Sequence, residues 1–172
     1  MAVRRHIREQ AVVALLAAAS IAGRIVMEPV PGMQPTTVII MVTAMSMGLR
    51  PAVMVAVIST WISNLQLGHG IWTIFQMLSW TAVAVASYLY GKTKWRRSLL
   101  VSTAAAGLLG IMYGMIVSLN GLLFTRRIIA YYLAGLPHDL THAVGNAAMY
   151  FAFGDRLMKL LRKYGEAYSG KK

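Results

Sequence analysis

The sequence predicts an all-α integral membrane protein of six transmembrane helices, with the N- and C-termini cytoplasmic. Its 172 residues are 58% hydrophobic and 13% charged, and the mean hydropathy is +0.59. An ordinary soluble domain carries about 25% charged residues, so this chain has too few charges for a surface exposed to water on all sides. The Lys and Arg residues also lie in bursts between apolar runs, which is typical of loops that flank membrane spans.

The apolar runs define the spans, because a helix needs about 20 largely apolar residues to cross a bilayer. They form a single domain over residues 1–172, with approximate spans at 10–27, 36–47, 52–67, 73–90, 98–124 and 138–161 and a basic tail at 162–172. The first run resembles a signal peptide, but no soluble domain follows that would need export, so we interpret it as the first transmembrane helix. It ends at Glu28–Gly32, where two prolines and a glycine stop a helix.

The orientation depends on the break at Gly48–Pro51, which is either a kink in one helix or a turn between two. A turn gives six spans and places 14 of the 17 Lys and Arg residues on the cytoplasmic side, as the positive-inside rule favours. The three on the outer side are Arg24, Arg126 and Arg127. The strongest single signal is Gly91–Arg97, where a glycine stop, four cations and a tryptophan mark one boundary. The predicted outer loops are Glu28–Pro35, Gln66–Trp72 and Thr125–Pro137.

Several function classes conflict with the sequence. The absence of cysteine excludes a disulfide framework, zinc–thiolate sites and thiol catalysis. No Gly-x-Ser-x-Gly motif and no phosphate-binding glycine loop with a lysine occur, so we expect neither catalytic residues nor an ATPase in this chain. Nucleic-acid binding would require a continuous basic face, whereas apolar runs interrupt the basic residues here.

Polar residues collect near the predicted outer ends of the spans. Polar groups in hydrocarbon are costly and usually face a cavity or a partner helix. Amides, imidazoles and indoles together offer stacking faces and neutral hydrogen-bonding groups to an amphipathic organic ligand. The candidate binding residues are Gln34, Asn64, Gln66, His69, Trp72, Gln76, Trp80, His138, Asp139, His142 and Asn146. Among them His138, His142 and Asn146 recur at four-residue steps, which predicts one shared helix face.

Structural alternatives stand beside these assignments. Gln76 could close a capping box with Thr73, Asp139 could serve the dipole of a first helical turn, and Trp72 and Trp80 could be interfacial anchors. His138 and His142 at positions i and i+4 could share a metal ion. The few carboxylates and the lack of cysteine leave the coordination sphere incomplete, so we predict no metal site.

A ridge of small residues marks the first helix. Ala14, Ala18 and Ala22 are spaced by four, so another helix can approach closely along this line. The approaching helix could belong to this protein or to a partner.

Two sequence blocks resemble a known transporter family. Gln34–Thr36 and Ser63–Gln76 form one block and Pro137–Asn146 the other. They are similar to the S components of energy-coupling factor (ECF) vitamin transporters, with the cobalamin-specific subgroup most alike. The resemblance covers essentially the whole chain. His69 and Ile71 depart from the family loop, where glutamine and proline are expected.

The resemblance implies a non-catalytic, multi-pass subunit of the plasma membrane. It would capture cobalamin (vitamin B12) as transported substrate near the outer surface, with no permanently bound cofactor. The implied partners are the lipid bilayer, a transmembrane coupling protein of the EcfT type and two ABC ATPases that use ATP. The coupling protein would dock on Ala14, Ala18 and Ala22.

The residues are compatible with cobalamin without requiring it. Corrin side chains are mostly amides, which Gln, Asn and His can pair without burying charge. Arg126 and Arg127 in an outer loop could meet the nucleotide-loop phosphate or be solvated. Smaller vitamins would also find partners, so an S component for another vitamin is the alternative. An accessory membrane protein and a His-based metal carrier are further alternatives.

Overall fold

The computed structural model describes the backbone of residues 2–169, in which every regular element is helical. The helices are α1 (Ala2–Val26), α2 (Thr36–Met47), α3 (Leu49–Leu67), α4 (Trp72–Tyr90), α5 (Leu99–Val117), α6 (Ile128–Met149) and α7 (Asp155–Ser169). A 3₁₀ segment at Ser118–Leu123 extends α5, and a π turn at Tyr150–Gly154 joins α6 to α7. Within the described residues, two helical segments, His6–Val26 and Leu99–Leu123, are long and apolar enough to cross a membrane.

Helix α2 is the centre of the fold. All ten residues from Thr36 to Met45 are buried, and the helix packs against α3, α4 and α7. Its side chains are apolar on nearly every face, as expected of a helix enclosed on all sides. At about 1.5 Å per residue its length is roughly 18 Å, which is less than the hydrocarbon core of a bilayer. Helix α2 is therefore a core helix surrounded by longer ones.

The break between the second and third helices is a single residue, Gly48, with a φ of +99°. Arg24 hydrogen-bonds both Gln34, just before α2, and Ser63, near the end of α3, so these two helices run in opposite directions. The predicted turn is therefore confirmed. The predicted start at residue 52 is wrong, because Pro51 lies in the first turn of α3, where a missing backbone N–H costs nothing.

The predicted outer loop Thr125–Pro137 is wrong over most of its length. Helix α6 begins at Ile128, ten residues before the predicted start, and continues through Pro137. Proline inside a helix removes one backbone hydrogen bond, and the extensive packing of α6 along α5 stabilises the helix across this position. Asp139 consequently lies in the middle of α6, so its assignment to a first helical turn is also wrong.

The last described helix, α7, is amphipathic. Helix α7 extends eight residues beyond the predicted end at Leu161, and Met158 is buried against the apolar core. Residues 162–169 of the predicted basic tail are thus helical, and residues 170–172 lie outside the described residues. At the other terminus α1 begins at Ala2 rather than near residue 10. Both differences arise because the spans were predicted from apolar residues, whereas charged residues also form helix at the ends.

Candidate functional site

One end of the bundle holds a connected group of polar side chains, which we call the polar cluster. Helix α1 ends there, α2 begins, α3 ends and α4 begins, and α6 passes beside them. Hydrogen bonds and one cation–π contact join one set of members, Arg24, Gln34, Ser63, Trp80, Thr37 and His142. Hydrogen bonds join a second set, Asn64, Thr73 and Gln76, which adjoins the first because Asn64 follows Ser63 in α3.

Arg24 lies in the last turn of α1 and is only 6% exposed. Its Nε donates to Gln34 Oε1 at 3.2 Å, and its Nη1 donates to Ser63 Oγ. The guanidinium carbon lies 4.7 Å from the ring centroid of Trp80, which is a cation–π geometry. One side chain thus connects α1 to the start of α2, to α3 and to α4.

Asn64 connects α3 to α4. The residue is buried, and its Nδ2 donates to Thr73 Oγ1 at 2.9 Å and to Gln76 Oε1 at 2.7 Å. Because the Gln76 side chain bonds Asn64 and α4 already begins at Trp72, the capping box predicted as an alternative is not formed. The polar residues of the first sequence block therefore bond one another.

His142 connects α6 to the loop before α2. Its Nδ1 lies 2.7 Å from the carbonyl oxygen of Gly32, and a carbonyl only accepts, so Nδ1 carries a proton. In the neutral imidazole Nε2 then accepts from the Thr37 hydroxyl at 3.2 Å, and Thr37 Oγ1 accepts in turn from Trp80 Nε1 at 3.2 Å. Both ring nitrogens of His142 are engaged by the protein, which leaves neither for a metal ion in this arrangement.

Aromatic rings line the inner side of the polar cluster. Trp80 stacks on Tyr113 with ring centroids 4.4 Å apart, and Tyr113 lies 5.3 Å from the His142 ring. Trp80 is fully buried, so its interpretation as an interfacial anchor is wrong, whereas Trp72 is 45% exposed and that alternative stays open for it. The Trp80 ring of this stack also contacts the Arg24 guanidinium.

Gly32 allows the loop to approach α6. Its φ of +75° is unfavourable for other residues. A Cβ there would overlap Thr141 Oγ1 and lie 2.7 Å from the backbone nitrogen of His142. The hydrogen bond from His142 to the Gly32 carbonyl therefore depends on glycine at this position.

The predicted four-residue stripe on α6 is only partly buried. His142 and Asn146 are buried, but His138 is exposed and Asp139 is buried in its place. At 3.6 residues per turn, residue 138 lies about 80° around the helix from residue 146, and residue 139 only about 20°. Asp139, His142 and Asn146 form the inward face.

The seam between α5 and α6 contains buried polar atoms without protein partners. Both amide atoms of Asn146 and Oδ2 of Asp139 are enclosed and make no hydrogen bond. A Cβ at Gly114 would overlap the Asp139 carboxylate, and one at Gly110 would lie 2.6 Å from Asn146 Nδ2. The glycines of α5 make room for these side chains.

The remaining candidate residues lie at the surface of the same end. Gln66, His69 and Trp72 are exposed in or beside the loop after α3. The His69 ring lies 4.7 Å from the Trp61 ring, and its Nδ1 is 3.5 Å from Thr73 Oγ1. These exposed side chains border the polar cluster rather than belong to its buried part.

Sequence reasoning missed five of the residues that build this end of the bundle. Arg24 was assigned only as an outer cation, although a charge inside an apolar run is itself a signal of function. The others are the hydroxyl or aromatic residues Thr37, Ser63, Thr73 and Tyr113. Of these, spacing singled out only Thr73, and only for the alternative capping box.

The small-residue ridge of α1 faces away from the bundle. Ala14, Ala18 and Ala22 are exposed, while Val13 and Ala17 are buried. The alternative that the ridge packs inside this chain is therefore wrong for the described residues.

An apolar pocket of about 200 Å³ lies apart from the polar cluster, lined by Met115, Ser118, Leu119, Ile128, Ile129 and Tyr132. It sits between the end of α5 and the start of α6.

Comparisons of the chain with protein-family models, curated proteins and solved structures find no match. The functional interpretation therefore depends on the chain's own residues and geometry.

Proposed function

We propose that this protein is the substrate-binding S component of an ECF-type importer, which captures cobalamin or a related corrinoid at the outer face. One observation carries the proposal. The two sequence blocks that resemble this family are more than 60 residues apart in the chain, yet they meet in one polar cluster. Ser63, the neighbour of Asn64 in α3, bonds Arg24. Contacts through Trp80 and Thr37 then connect Arg24 to His142.

The proposed topology has six spans in the plasma membrane and cytoplasmic termini. The cations of Lys92–Arg97 follow α4, and Arg50 lies in the first turn of α3, so both lie at the end of the bundle opposite the polar cluster. Cations near span ends favour the cytoplasmic side, which supports an outward-facing polar cluster.

The ligand contacts would come from the half-buried and exposed rim of the polar cluster. Gln34 and Gln76 are half-buried, and Gln66, His69 and Trp72 are exposed. Neutral amides suit the amide side chains of a corrin, and an indole offers a stacking face. The buried Asn64 and His142 would hold this rim in place.

The exposed ridge Ala14–Ala22 supports docking to a coupling protein of the EcfT type, since small residues allow close helix contact. Two partner ATPases would hydrolyse ATP, and this subunit would tilt in the membrane to deliver the substrate inward. It would itself catalyse nothing and hold no permanent cofactor.

The test is uptake of radiolabelled cobalamin into vesicles that contain this chain and its coupling module, with ATP inside. We expect uptake that requires ATP. The double variant Ala14→Leu/Ala18→Leu should abolish uptake but keep cobalamin binding, because leucine fills the ridge without touching the polar cluster. Ala19→Leu, at an exposed position off the ridge, is the matched control and should transport normally.

Two outcomes would count against the proposal. Equal loss of binding and uptake in the ridge variant would remove its docking role. An assembled complex that transports neither cobalamin nor any smaller vitamin would contradict the S-component function itself.

A further inference from the structure

Arg24 is a buried cation without an acidic partner. No acidic side chain among the described residues forms an ion pair with it, whereas Lys159 pairs with Asp155 at 2.8 Å. Its neighbours are two neutral oxygens and an indole face. Glu28, one turn further along, is exposed, and Asp139 packs against Gly114 on the α5–α6 seam. Buried charges are costly unless they are paired, so this site lacks a negative charge.

The guanidinium also has unused donors. It carries five N–H groups, of which one on Nε and one on Nη1 are bonded to the protein. Nη2 donates to no described residue and is not among the fully enclosed atoms without a partner. It is therefore not completely enclosed, and its donors are free for an incoming group.

The surroundings hold this side chain in one orientation. Gln34 and Ser63 each fix one nitrogen, and the Trp80 ring supports the guanidinium face. A planar fork held in this way matches a carboxylate or a phosphate, which it can bind through two parallel hydrogen bonds. The half-buried Gln34 and Gln76 nearby are neutral and bring no competing negative charge.

We propose that Arg24, in the buried part of the polar cluster beside Gln34, binds an oxyanion of the transported ligand, either a carboxylate or a phosphate. This inference rests on the proposed function as a ligand-capturing subunit. For a corrinoid the oxyanion is the phosphodiester of the nucleotide loop, and for a small vitamin it is a carboxylate. The anion then supplies the charge that the protein lacks beside Arg24.

The test measures ligand affinity of the purified full chain in lipid nanodiscs. One pair of probes is cyanocobalamin and dicyanocobinamide, which lacks the phosphodiester, and the other is pantothenate and panthenol, which lacks the carboxylate. Arg24→Gln should weaken binding of the oxyanion-bearing member of the recognised pair about tenfold to a hundredfold, as expected for charged hydrogen bonds. The affinity of the variant for the member that lacks the oxyanion should not change. Arg50→Gln, at an exposed position at the opposite end of the bundle, is the matched control and should change neither.

A second variant covers the case in which Arg24→Gln does not fold. Gln34→Glu keeps the shape of the side chain and places a carboxylate at the atom that Arg24 already bonds. We expect this variant to raise the melting temperature, because the buried cation gains a partner. It should also weaken binding of the same oxyanion-bearing probe by a similar factor.

The outcomes separate this inference from the proposed function. Arg24-dependent binding of pantothenate without corrinoid binding would keep the anion site and reject cobalamin as substrate. A measurement without the vitamin probes completes the test. We expect phosphate to raise the melting temperature of the wild type more than chloride does at equal ionic strength. The inference is overturned if both variants, Gln34→Glu and Arg24→Gln, bind the probes with wild-type affinity and show the wild-type rise of melting temperature with phosphate.

Discussion

At the scale of single residues, His142 holds the loop before α2 against α6 through hydrogen bonds to Gly32 and Thr37. His142→Phe keeps a ring beside Tyr113 but removes both bonds. The buried Gly32 carbonyl oxygen loses its donor, and the Thr37 hydroxyl loses its acceptor while it still accepts from Trp80. Each such loss costs about 1–3 kcal/mol, so we expect a clearly lower melting temperature in detergent and weaker cobalamin binding, with membrane insertion intact. His138→Phe, at an exposed position on the same helix, should leave the melting temperature unchanged. Similar melting temperatures for both variants would show that the His142 bonds contribute little.

At the scale of helices, the contact between α5 and α6 depends on the glycines of α5. A Cβ at Gly114 would overlap the Asp139 carboxylate, so Gly114→Ala must push α6 away, and overpacking of this kind typically costs about 1–3 kcal/mol. Apart from its own stretch of helix, the nearest atom to a Cβ added at Gly135 would be Ser118 Oγ, at 4.0 Å. Gly135→Ala should therefore stabilise α6 by up to about 1 kcal/mol through helix propensity. Thermal unfolding in detergent measures both, and a Gly114→Ala protein as stable as Gly135→Ala would refute the close-packed seam.

At the scale of the whole molecule, the natural absence of cysteine allows a direct test of orientation. Arg126→Cys lies in the loop before α6, at the end of the bundle that holds the polar cluster. Lys94→Cys lies in the 3₁₀ segment Lys94–Arg97 after α4, at the opposite end of the bundle. We expect a membrane-impermeant maleimide to label the first in intact cells and the second only after permeabilisation. Labelling of Lys94→Cys in intact cells would reverse the proposed orientation, and labelling of both would reject the six-span arrangement.

Much of the helix pattern could be predicted from local signals. The second, fourth and fifth helices lie close to the predicted ranges, and the turn at Gly48 was expected because glycine and proline interrupt an apolar run. The start of α6 could not be predicted in this way. Pro137 is normally a helix boundary, and only the packing of α6 along α5 reveals that the helix continues through it.

For the candidate site, the sequence predicts which segments carry polar side chains, because composition and spacing are local properties of the chain. The sequence does not predict which of these side chains are buried together in the fold. Burial depends on the helices that pack on each face, and these come from distant parts of the sequence. For that reason Arg24 moved from a predicted outer cation to the centre of the polar cluster, and Asp139 replaced His138 on the inward face of α6.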